Sequence, residues 1–463
     1  MAVMARLLEP THFGLVAIAN VSLRFFSYFA QMGIGPALIQ KPTLSDGEVR
    51  AALALSVGVS SFFFVLAVST AGMIESYFEM EGLGLVMRVL AINFIVVGFS
   101  SVSLGLMRRN TKFKALAIIE IVSYVCGYGL VGLCAAYYGA GVWTLVAAFV
   151  IQTSLSGVLS YVVTKHPLGL RHTKEERSHF IGFGGRYSII GFLEFLASNV
   201  DALIIGKLMG ATFAGYYNRA TLLANLPVQH PANILTRALF PIMSSMGNQY
   251  DKQSINIQLS TLLVGSYAFA VGTGIYVSAP DIVKVLLGDK WLDAIPLLQV
   301  LAWSIGPLYI SHVAGVTLDS MAKLTIKMRI QFSLFPVLLL LLMLAANTGK
   351  VTNIAMAIVV TEWLRVFVMG WVLIHLLKIS LRDAATVMFC IVVIATTTAL
   401  SIFVISIIMD INALSIFRLL AEIVAGIFGV AVGLVLVRLI VARHPAILYL
   451  GKRIPRFANL LKK

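Results

Sequence analysis

Charged side chains are scarce in this sequence. Only 12% of its 463 residues are Asp, Glu, Lys or Arg, whereas about 25% is usual for a soluble domain. Apolar residues make up 59% of the chain, and the mean hydropathy is +0.93. A soluble globular fold is therefore excluded. We expect an integral membrane protein, in which only helices or a closed barrel can span the lipid.

Cysteines and recognisable catalytic motifs are also few. The three cysteines, Cys126, Cys134 and Cys390, all fall in apolar runs, which predicts core thiols rather than a disulfide or a metal site. The sequence contains no Gly-x-x-x-x-Gly-Lys string, so an ATP-binding loop is not expected. The histidine spacings match no metal motif. We therefore predict no catalytic residue, no metal and no cofactor.

Long apolar runs are abundant, and their length of about 20 residues selects helices over barrel strands. Basic loops alternate with loops that are poor in Lys and Arg, so the positive-inside rule assigns the basic loops and the C-terminal tail to the cytoplasm. The net charge of +15 then reflects topology rather than nucleic-acid binding. Thirteen helices are predicted, at 12–32, 50–73, 83–107, 114–137, 142–163, 183–209, 212–243, 258–279, 295–319, 326–346, 351–377, 384–409 and 415–441.

A short internal repeat relates the start of the chain to its middle. Residues Arg6–Gly14 align without a gap with Lys207–Gly215, with the basic residue, two apolar residues, Thr and Gly in register. Lys207 closes a full helix, whereas Arg6 has no such helix before it. We therefore expect that the first helix of the chain is truncated.

An even number of helices separates the two copies of the repeat, so both copies cross the membrane in the same sense. Bundles related in this way share an axis along the membrane normal, an arrangement found in transporters. The predicted fold class is all-α, with two six-helix bundles around a central cleft plus two extra C-terminal helices. The predicted domains are 1–164, 165–378 and 379–463.

Five stretches together carry a family pattern. They are Ala5–Leu15, Gly33–Gln40, Arg108–Phe113, Gly139–Val146 and Asn199–Ala220. In their order and spacing they resemble the polysaccharide-transporter, or Wzx-type oligosaccharide flippase, branch of the multidrug/oligosaccharidyl-lipid/polysaccharide (MOP) exporter superfamily. The chain departs from the usual family pattern in having Glu9 where the family has Gly.

The resemblance implies a flippase of the bacterial inner membrane. Such a protein moves a polyprenyl-pyrophosphate-linked oligosaccharide from the cytoplasmic to the periplasmic leaflet, for exopolysaccharide, capsule or lipopolysaccharide assembly. It makes and breaks no bond, so the resemblance implies that the protein is not an enzyme. The implied partners are this lipid-linked oligosaccharide, membrane lipids, and a polysaccharide polymerase and co-polymerase, with no nucleic acid. Two rivals remain open: a cation-coupled drug antiporter of the same fold and a membrane glycan polymerase. The polymerase is disfavoured because the longest predicted outer loop, 280–293, is too short to hold a site.

Three arginines, Arg24, Arg219 and Arg237, lie in segments that otherwise suit hydrocarbon. Charges in such segments face a cavity or a partner more often than lipid. The guanidinium fork suits phosphate oxygens, so these arginines are the predicted substrate-binding cations of the cleft. The alternative is that each pairs with a helix carboxylate or extends its charge to the membrane surface.

A candidate ion-coupling site lies on the helix that ends at Lys207. Glu194 and Asp201 are seven residues apart, which is about two helical turns and so one face. Asn199 flanks them. Embedded carboxylates often bind protons or sodium in transporters. The alternative for Asp201 is an ion pair with Arg219.

Other acids and aromatics have simpler interpretations. Glu362 and Arg365 are three apart and predict a local ion pair, whereas Glu422 has no evident partner in the sequence. Tyr216 and Tyr217 fall near the outer surface, where an interfacial aromatic belt is the default.

Pro227 and Pro231 fall inside one predicted helix. Proline removes a helical hydrogen bond and kinks the helix, so these residues are candidates for a hinge, with a bent structural helix as the alternative.

Overall fold

The computed structural model describes residues 2–30, 38, 41, 43–169, 173–247, 249–409 and 415–441. The described part is helical and contains no strand, so the all-α prediction is confirmed. Within it, ten helices are long and apolar enough to cross a membrane.

The helices are numbered here in chain order. Helix α5 contains a π-helical stretch at Val125–Gly132, and a short 3-10 helix, Asp289–Ala294, precedes α9. The bounds are α1 Ala2–Leu7, α2 Pro10–Ala30, α3 Asp46–Phe78, α4 Leu83–Arg109, α5 Phe113–Tyr137, α6 Val142–Thr164, α7 Lys174–Ser245, α8 Tyr250–Leu286, α9 Ile295–Ser320, α10 Leu324–Ala346, α11 Val351–Leu376, α12 Leu381–Ile408 and α13 Ser415–Val441.

Every predicted helix overlaps an observed one. Helix α7 accounts for two predictions, 183–209 and 212–243, because it is helical on both sides of Gly210 but not at that residue. Gly210 has φ 80° and ψ −177°, a conformation that glycine adopts without the steric cost of a side chain. The two predicted helices are therefore joined by a break at Gly210.

Helix bounds differ from the predictions mainly where a helix continues past the apolar run. Helix α3 begins at Asp46 because Ser45 accepts a hydrogen bond from the Glu48 backbone, while the Glu48 side chain accepts one from the Ser45 backbone at 2.9 Å. This reciprocal capping satisfies two backbone groups that a helix start leaves unpaired. Helix α8 has 37 residues, against the prediction of 258–279. About 20 residues suffice to span hydrocarbon, so its polar ends extend beyond that layer.

The chain divides into two compact units, Met1–Asn218 (unit 1) and Arg219–Lys463 (unit 2). In unit 1, α3 packs along α4, and α4 packs on α6. In unit 2, α8 is central and packs on α9, α12 and α13. The three domains delimited from the sequence stay a prediction.

The cysteines correct one expectation. Cys390 is buried in the core of unit 2, but Cys126 is half-buried and Cys134 is exposed. The prediction of core thiols is therefore wrong for both cysteines of α5. A membrane protein is surrounded by lipid as apolar as its own core, so an apolar neighbourhood in the sequence does not distinguish the core from the lipid-facing surface.

Candidate functional site

The two copies of the internal repeat meet within unit 1. A Cβ atom at Gly14 would collide with the carbonyl oxygen of Ala211, and one at Gly215 would collide with the carbonyl oxygen of Pro10. The repeat makes Gly14 equivalent to Gly215 and Pro10 equivalent to Ala211, so the contact is reciprocal. Only glycine permits backbones to approach so closely. The repeated glycines therefore maintain a helix crossing with local two-fold symmetry.

The Gly210 break places Tyr217 beside Asp201. The Tyr217 hydroxyl donates a hydrogen bond to Asp201 Oδ2. Tyr216 and Tyr217 are only 8% and 5% exposed. The prediction of an interfacial aromatic belt is therefore wrong for both tyrosines. The neutral hydroxyl of Tyr217 is therefore a buried hydrogen-bond partner of the Asp201 carboxylate.

A cavity of about 540 Å³ lies beside this crossing, between α2, α3 and the first half of α7. Its lining is mostly apolar and aromatic, with one cation at its edge. The Lys207 ammonium lies 5.2 Å from the centre of the Tyr77 ring and 2.7 Å from Glu79 Oε1. The residues that define its character are Phe25, Phe26, Tyr77, Phe78, Leu203 and Lys207.

Glu79 ends α3 on the same side of the cavity, in the left-handed backbone conformation with φ 55°. The hydrogen bond and the positive charge of Lys207 hold the pKa of the Glu79 carboxyl below its ordinary value. Because Glu79 is strongly exposed, water screens this pair, and exposed pairs contribute little to stability. The pair is better understood as a link between the ends of α3 and the first half of α7.

The predicted cations are only partly described by the structure. Arg24 is exposed on α2, directly before the cavity residue Phe25. Arg219 is half-buried at the start of unit 2. The side chain of Arg237 lies outside the described residues. Their role as substrate-binding cations stays a prediction.

The predicted coupling residues lie before the Gly210 break. Asn199 and Asp201 are both half-buried on the first half of α7, and the side chain of Glu194 lies outside the described residues. No described group of three or more His, Cys, Asp or Glu side chains is placed to hold a metal ion. Ion coupling at these residues stays a prediction.

The two hinge candidates are linked to a neighbouring helix. Pro231 has no backbone N–H, so the carbonyl of Pro227, four residues earlier, loses its helical partner. The Tyr267 hydroxyl of α8 donates a hydrogen bond of 2.8 Å to that carbonyl oxygen. Sequence reasoning missed Tyr267. Pro231 was the available signal, because a proline inside a helix leaves the carbonyl four residues earlier for another group to satisfy.

Ion pairs inside unit 2 include one predicted and one missed. Arg365 Nη1 lies 2.8 Å from Glu362 Oε1, which confirms the predicted local pair. Glu422 lies near Arg418, with 3.6 Å between Oε1 and Nε, and Arg418 Nε also lies 3.2 Å from Asp281 Oδ2. The four-residue spacing of Arg418 and Glu422 could have indicated the first contact, but Asp281 comes from a distant helix.

Similarity to known proteins supplies the family context. Residues 3–296 match a family model described as "Polysaccharide biosynthesis protein". The chain is 28% identical over 339 residues to an "Uncharacterized membrane protein in cps region" of Klebsiella pneumoniae, covering 72% of this chain and 69% of the relative. It is 25% identical to the teichuronic acid biosynthesis protein TuaB of Bacillus subtilis (strain 168), covering 77% and 74%. It is 24% identical to the lipopolysaccharide biosynthesis protein WzxC of Escherichia coli (strain K12), covering 65% and 61%.

Two solved structures share the fold. The inward closed conformation of the lipid II flippase MurJ matches with a TM-score of 0.73, at 11% identity, over 96% of this chain and 97% of that one. The inward-facing conformation of a MATE family multidrug transporter of the MOP superfamily matches with a TM-score of 0.63, at 13% identity, over 81% and 93%. At these identities the likeness is one of fold.

Proposed function

As a member of the polysaccharide biosynthesis protein family, matched over residues 3–296, this chain is, we propose, a lipid-linked oligosaccharide flippase. It moves a polyprenyl-pyrophosphate-linked oligosaccharide from the cytoplasmic to the periplasmic leaflet of a bacterial inner membrane. The membrane body is multi-pass, and we place its C-terminus in the cytoplasm on the distribution of basic loops.

The observation that carries this proposal is the variety of polymers named among its relatives. One relative is named for the cps region, one for teichuronic acid and one for lipopolysaccharide. Teichuronic acid and lipopolysaccharide are different polymers, so a shared family is better suited to a step that every such pathway needs than to making one particular glycosidic bond. Transfer of the lipid-linked unit across the membrane is such a step, and it makes and breaks no bond.

The chemistry of the substrate suggests how the chain acts. A pyrophosphate needs cations, and the planar fork of arginine matches its oxygens. Arg24, Arg219 and Arg237 are the residues assigned to that contact. Asp201, with Glu194 and Asn199, is assigned to ion coupling, and the Pro227–Pro231 segment to bending during transport. A polysaccharide polymerase with its co-polymerase then receives the unit at the periplasmic face.

The test uses the host strain with this gene deleted, complemented by wild type, Arg24→Ala or Arg24→Lys. Lipid-linked oligosaccharide is assayed on each face of the inner membrane. We expect units trapped on the cytoplasmic face in the deletion strain and restored transfer with wild type. Arg24→Ala should reduce transfer about ten- to a hundredfold, because a hydrogen bond to a charged group contributes about 1.5–3 kcal/mol. Arg24→Lys should lie between the two.

Arg88→Ala is the matched control, because Arg88 is also exposed on a membrane helix, α4, and has no assigned role. It should transfer at the wild-type rate. Units that reach the periplasmic face without the gene, yet stay unpolymerised, would contradict the flippase proposal and favour a polymerase. Transfer that depends equally on Arg24 and Arg88 would remove Arg24 from the binding site.

A further inference from the structure

Unit 2 contains a buried cluster of two acids and one base, none of which is among the residues assigned to transport above. Asp281 comes from the end of α8, and Arg418 and Glu422 come from the first turns of α13. Arg418 Nε lies 3.2 Å from Asp281 Oδ2 and 3.6 Å from Glu422 Oε1. One guanidinium nitrogen therefore faces both carboxyl groups.

The two carboxyl groups are far more buried than the arginine. The side chains of Glu422 and Asp281 are 1% and 9% exposed, against 24% for Arg418. Ser278, one turn before Asp281 on α8, and Asp281 itself both interact with the Glu422 carboxyl. Glu422 Oε2 is buried, and no described residue forms a hydrogen bond with it. A buried carboxylate oxygen without a partner is costly.

The charges of the three side chains in the cluster do not cancel. With all three groups ionised, the cluster has one negative charge more than Arg418 can neutralise. Two carboxylates that share a buried site cannot easily both ionise, because like charges repel and burial disfavours charge. One additional positive charge would neutralise the cluster and give the unpartnered oxygen a bonding partner.

The elements packed around the cluster offer no further cation among the described residues. Helix α9 packs on α8, but its titratable residues, Tyr309, His312 and Asp319, fall in its second half, and Ile310 there lies against Gly265 rather than the end of α8. Helix α12 packs on α13, but its charged residues, Arg382 and Asp383, are at the opposite end of that helix. On the side of α8 and the following 3-10 helix, the charged residues nearest in sequence are all exposed: Lys284, Asp289, Lys290 and Asp293.

We propose that Asp281 and Glu422 share one exchangeable proton and that this cluster is a proton-binding site of unit 2. The proton comes from water and adds to one carboxylate oxygen, which converts that oxygen into a donor toward the other carboxyl group. The predicted topology places this end of α8 and the start of α13 at the outer surface. Arg418 is the member of the cluster most exposed to the surroundings.

A proton suits this cluster better than a metal cation. Hard cations such as Ca²⁺ take six or more oxygen ligands, whereas the described oxygen ligands here come from Asp281, Glu422 and Ser278. Arg418 Nε also lies within 3.6 Å of an oxygen of each carboxyl group, so its positive charge would repel a metal ion there. Resting on the proposed flippase function, the site would let a proton gradient drive oligosaccharide transfer from the outer side.

Infrared difference spectroscopy tests the site without any transport assay. The full-length protein in lipid nanodiscs is titrated between about pH 6 and pH 9, a range in which ordinary Asp and Glu carboxyl groups stay ionised. We expect wild type to show a protonated-carboxyl C=O band that decreases as the pH rises. Glu422→Gln should lose that band, and Asp281→Asn should lose or shift it, so either variant suffices if the other fails to fold.

Two controls decide the assignment. Glu120→Gln removes an exposed carboxyl group of α5 and should leave the band unchanged. Glu362, the other buried glutamate of unit 2, stays in every variant, so its signal cancels in the comparison. The proposal fails if the band survives both Glu422→Gln and Asp281→Asn. It also fails if sodium at constant pH abolishes the band, because the cluster would then bind sodium.

A second measurement concerns coupling. Proteoliposomes that contain purified lipid-linked oligosaccharide are given a proton gradient, acidic on the outer side. Wild type should transfer the substrate several-fold faster with the gradient than without it, and Glu422→Gln should reduce this ratio to unity. If Glu422→Gln leaves this ratio unchanged, the site does not couple proton movement to oligosaccharide transfer. Wild type that transfers nothing in either condition would contradict the flippase function, while the infrared result would still decide the proton site.

Discussion

The two compact units accommodate acidic side chains inside apolar helices in opposite ways. In unit 1, Asp201 accepts a hydrogen bond from the neutral hydroxyl of Tyr217. In unit 2, Asp281 and Glu422 approach a single guanidinium, that of Arg418. A neutral donor leaves the charge of the acid unchanged, whereas the arginine compensates one of two charges. The units therefore differ in whether an acid is held by hydrogen bonding or by a charge balance that one proton can change.

The packing around these acids differs as well. The helix crossing in unit 1 depends on the absence of side chains, because Gly14 and Gly215 lie against opposing backbone carbonyls. The polar contacts of unit 2 depend on the presence of long side chains, since Arg418 and Tyr267 reach groups on other helices. We therefore expect substitutions that add atoms to destabilise the crossing in unit 1, and substitutions that remove atoms to destabilise the polar contacts in unit 2.

The largest effect is expected from Arg418→Leu. It leaves Asp281 and Glu422 as two buried acids without a cation, and removing one partner of a buried pair costs about 3–5 kcal/mol. The apparent melting temperature in detergent should fall clearly. Adding Glu422→Gln should recover part of the loss, because one of the two charges is then absent. Equal melting temperatures for wild type and Arg418→Leu would show that Arg418 does not compensate the charges of Asp281 and Glu422.

Adding a methyl group at the glycine crossing should have the next largest effect. Gly14→Ala forces an atom into the Ala211 carbonyl, and overpacking costs about 1–3 kcal/mol. We expect a lower melting temperature and reduced oligosaccharide transfer. Gly58→Ala in α3 is the control, because its Cβ would meet nothing within 4 Å and alanine favours the helix by up to about 1 kcal/mol. A harmless Gly14→Ala would contradict the tight crossing.

Tyr217→Phe should have a smaller effect. It removes the hydroxyl that donates a hydrogen bond to Asp201. A hydrogen bond to a charged group contributes about 1.5–3 kcal/mol to stability, and the buried phenylalanine ring does not replace it. Asp201→Asn keeps an acceptor and should be milder. Thermal unfolding compares both with Tyr161→Phe, a half-buried tyrosine of α6 whose hydroxyl bonds no described residue. If Tyr161→Phe is as destabilising as Tyr217→Phe, the hydrogen bond to Asp201 does not contribute measurably to stability.

The smallest effect is expected at the surface pair of unit 1. Lys207 lowers the pKa of Glu79, so its stabilisation is present above the ordinary carboxyl pKa and is lost as the pH falls through the lowered pKa. The difference in melting temperature between wild type and Lys207→Ala should therefore be small at neutral pH and shrink on acidification. A difference that stays constant on acidification would show that Lys207 acts mainly through Tyr77.

Several features of this protein could be predicted because they depend on patterns along the chain. Apolar runs of span length located every described helix of that length, and the Gly210 break lay where two of them meet. The ion pair of Glu362 with Arg365 was predictable because helix geometry places residues three apart side by side. The same reasoning missed Tyr267, whose partner Pro227 is forty residues away.

By itself, the sequence determined the all-α membrane class, the order of the helices and the repeat that contains Gly14 and Gly215. Only the tertiary structure decided that these glycines lie against each other's backbones, that Tyr217 is buried on Asp201, and that Asp281 meets Glu422. The physical reason is that lipid and protein core are equally apolar. Hydrophobic patterns can place a residue within a membrane helix, but only the packing of helices shows whether its side chain faces lipid or another helix.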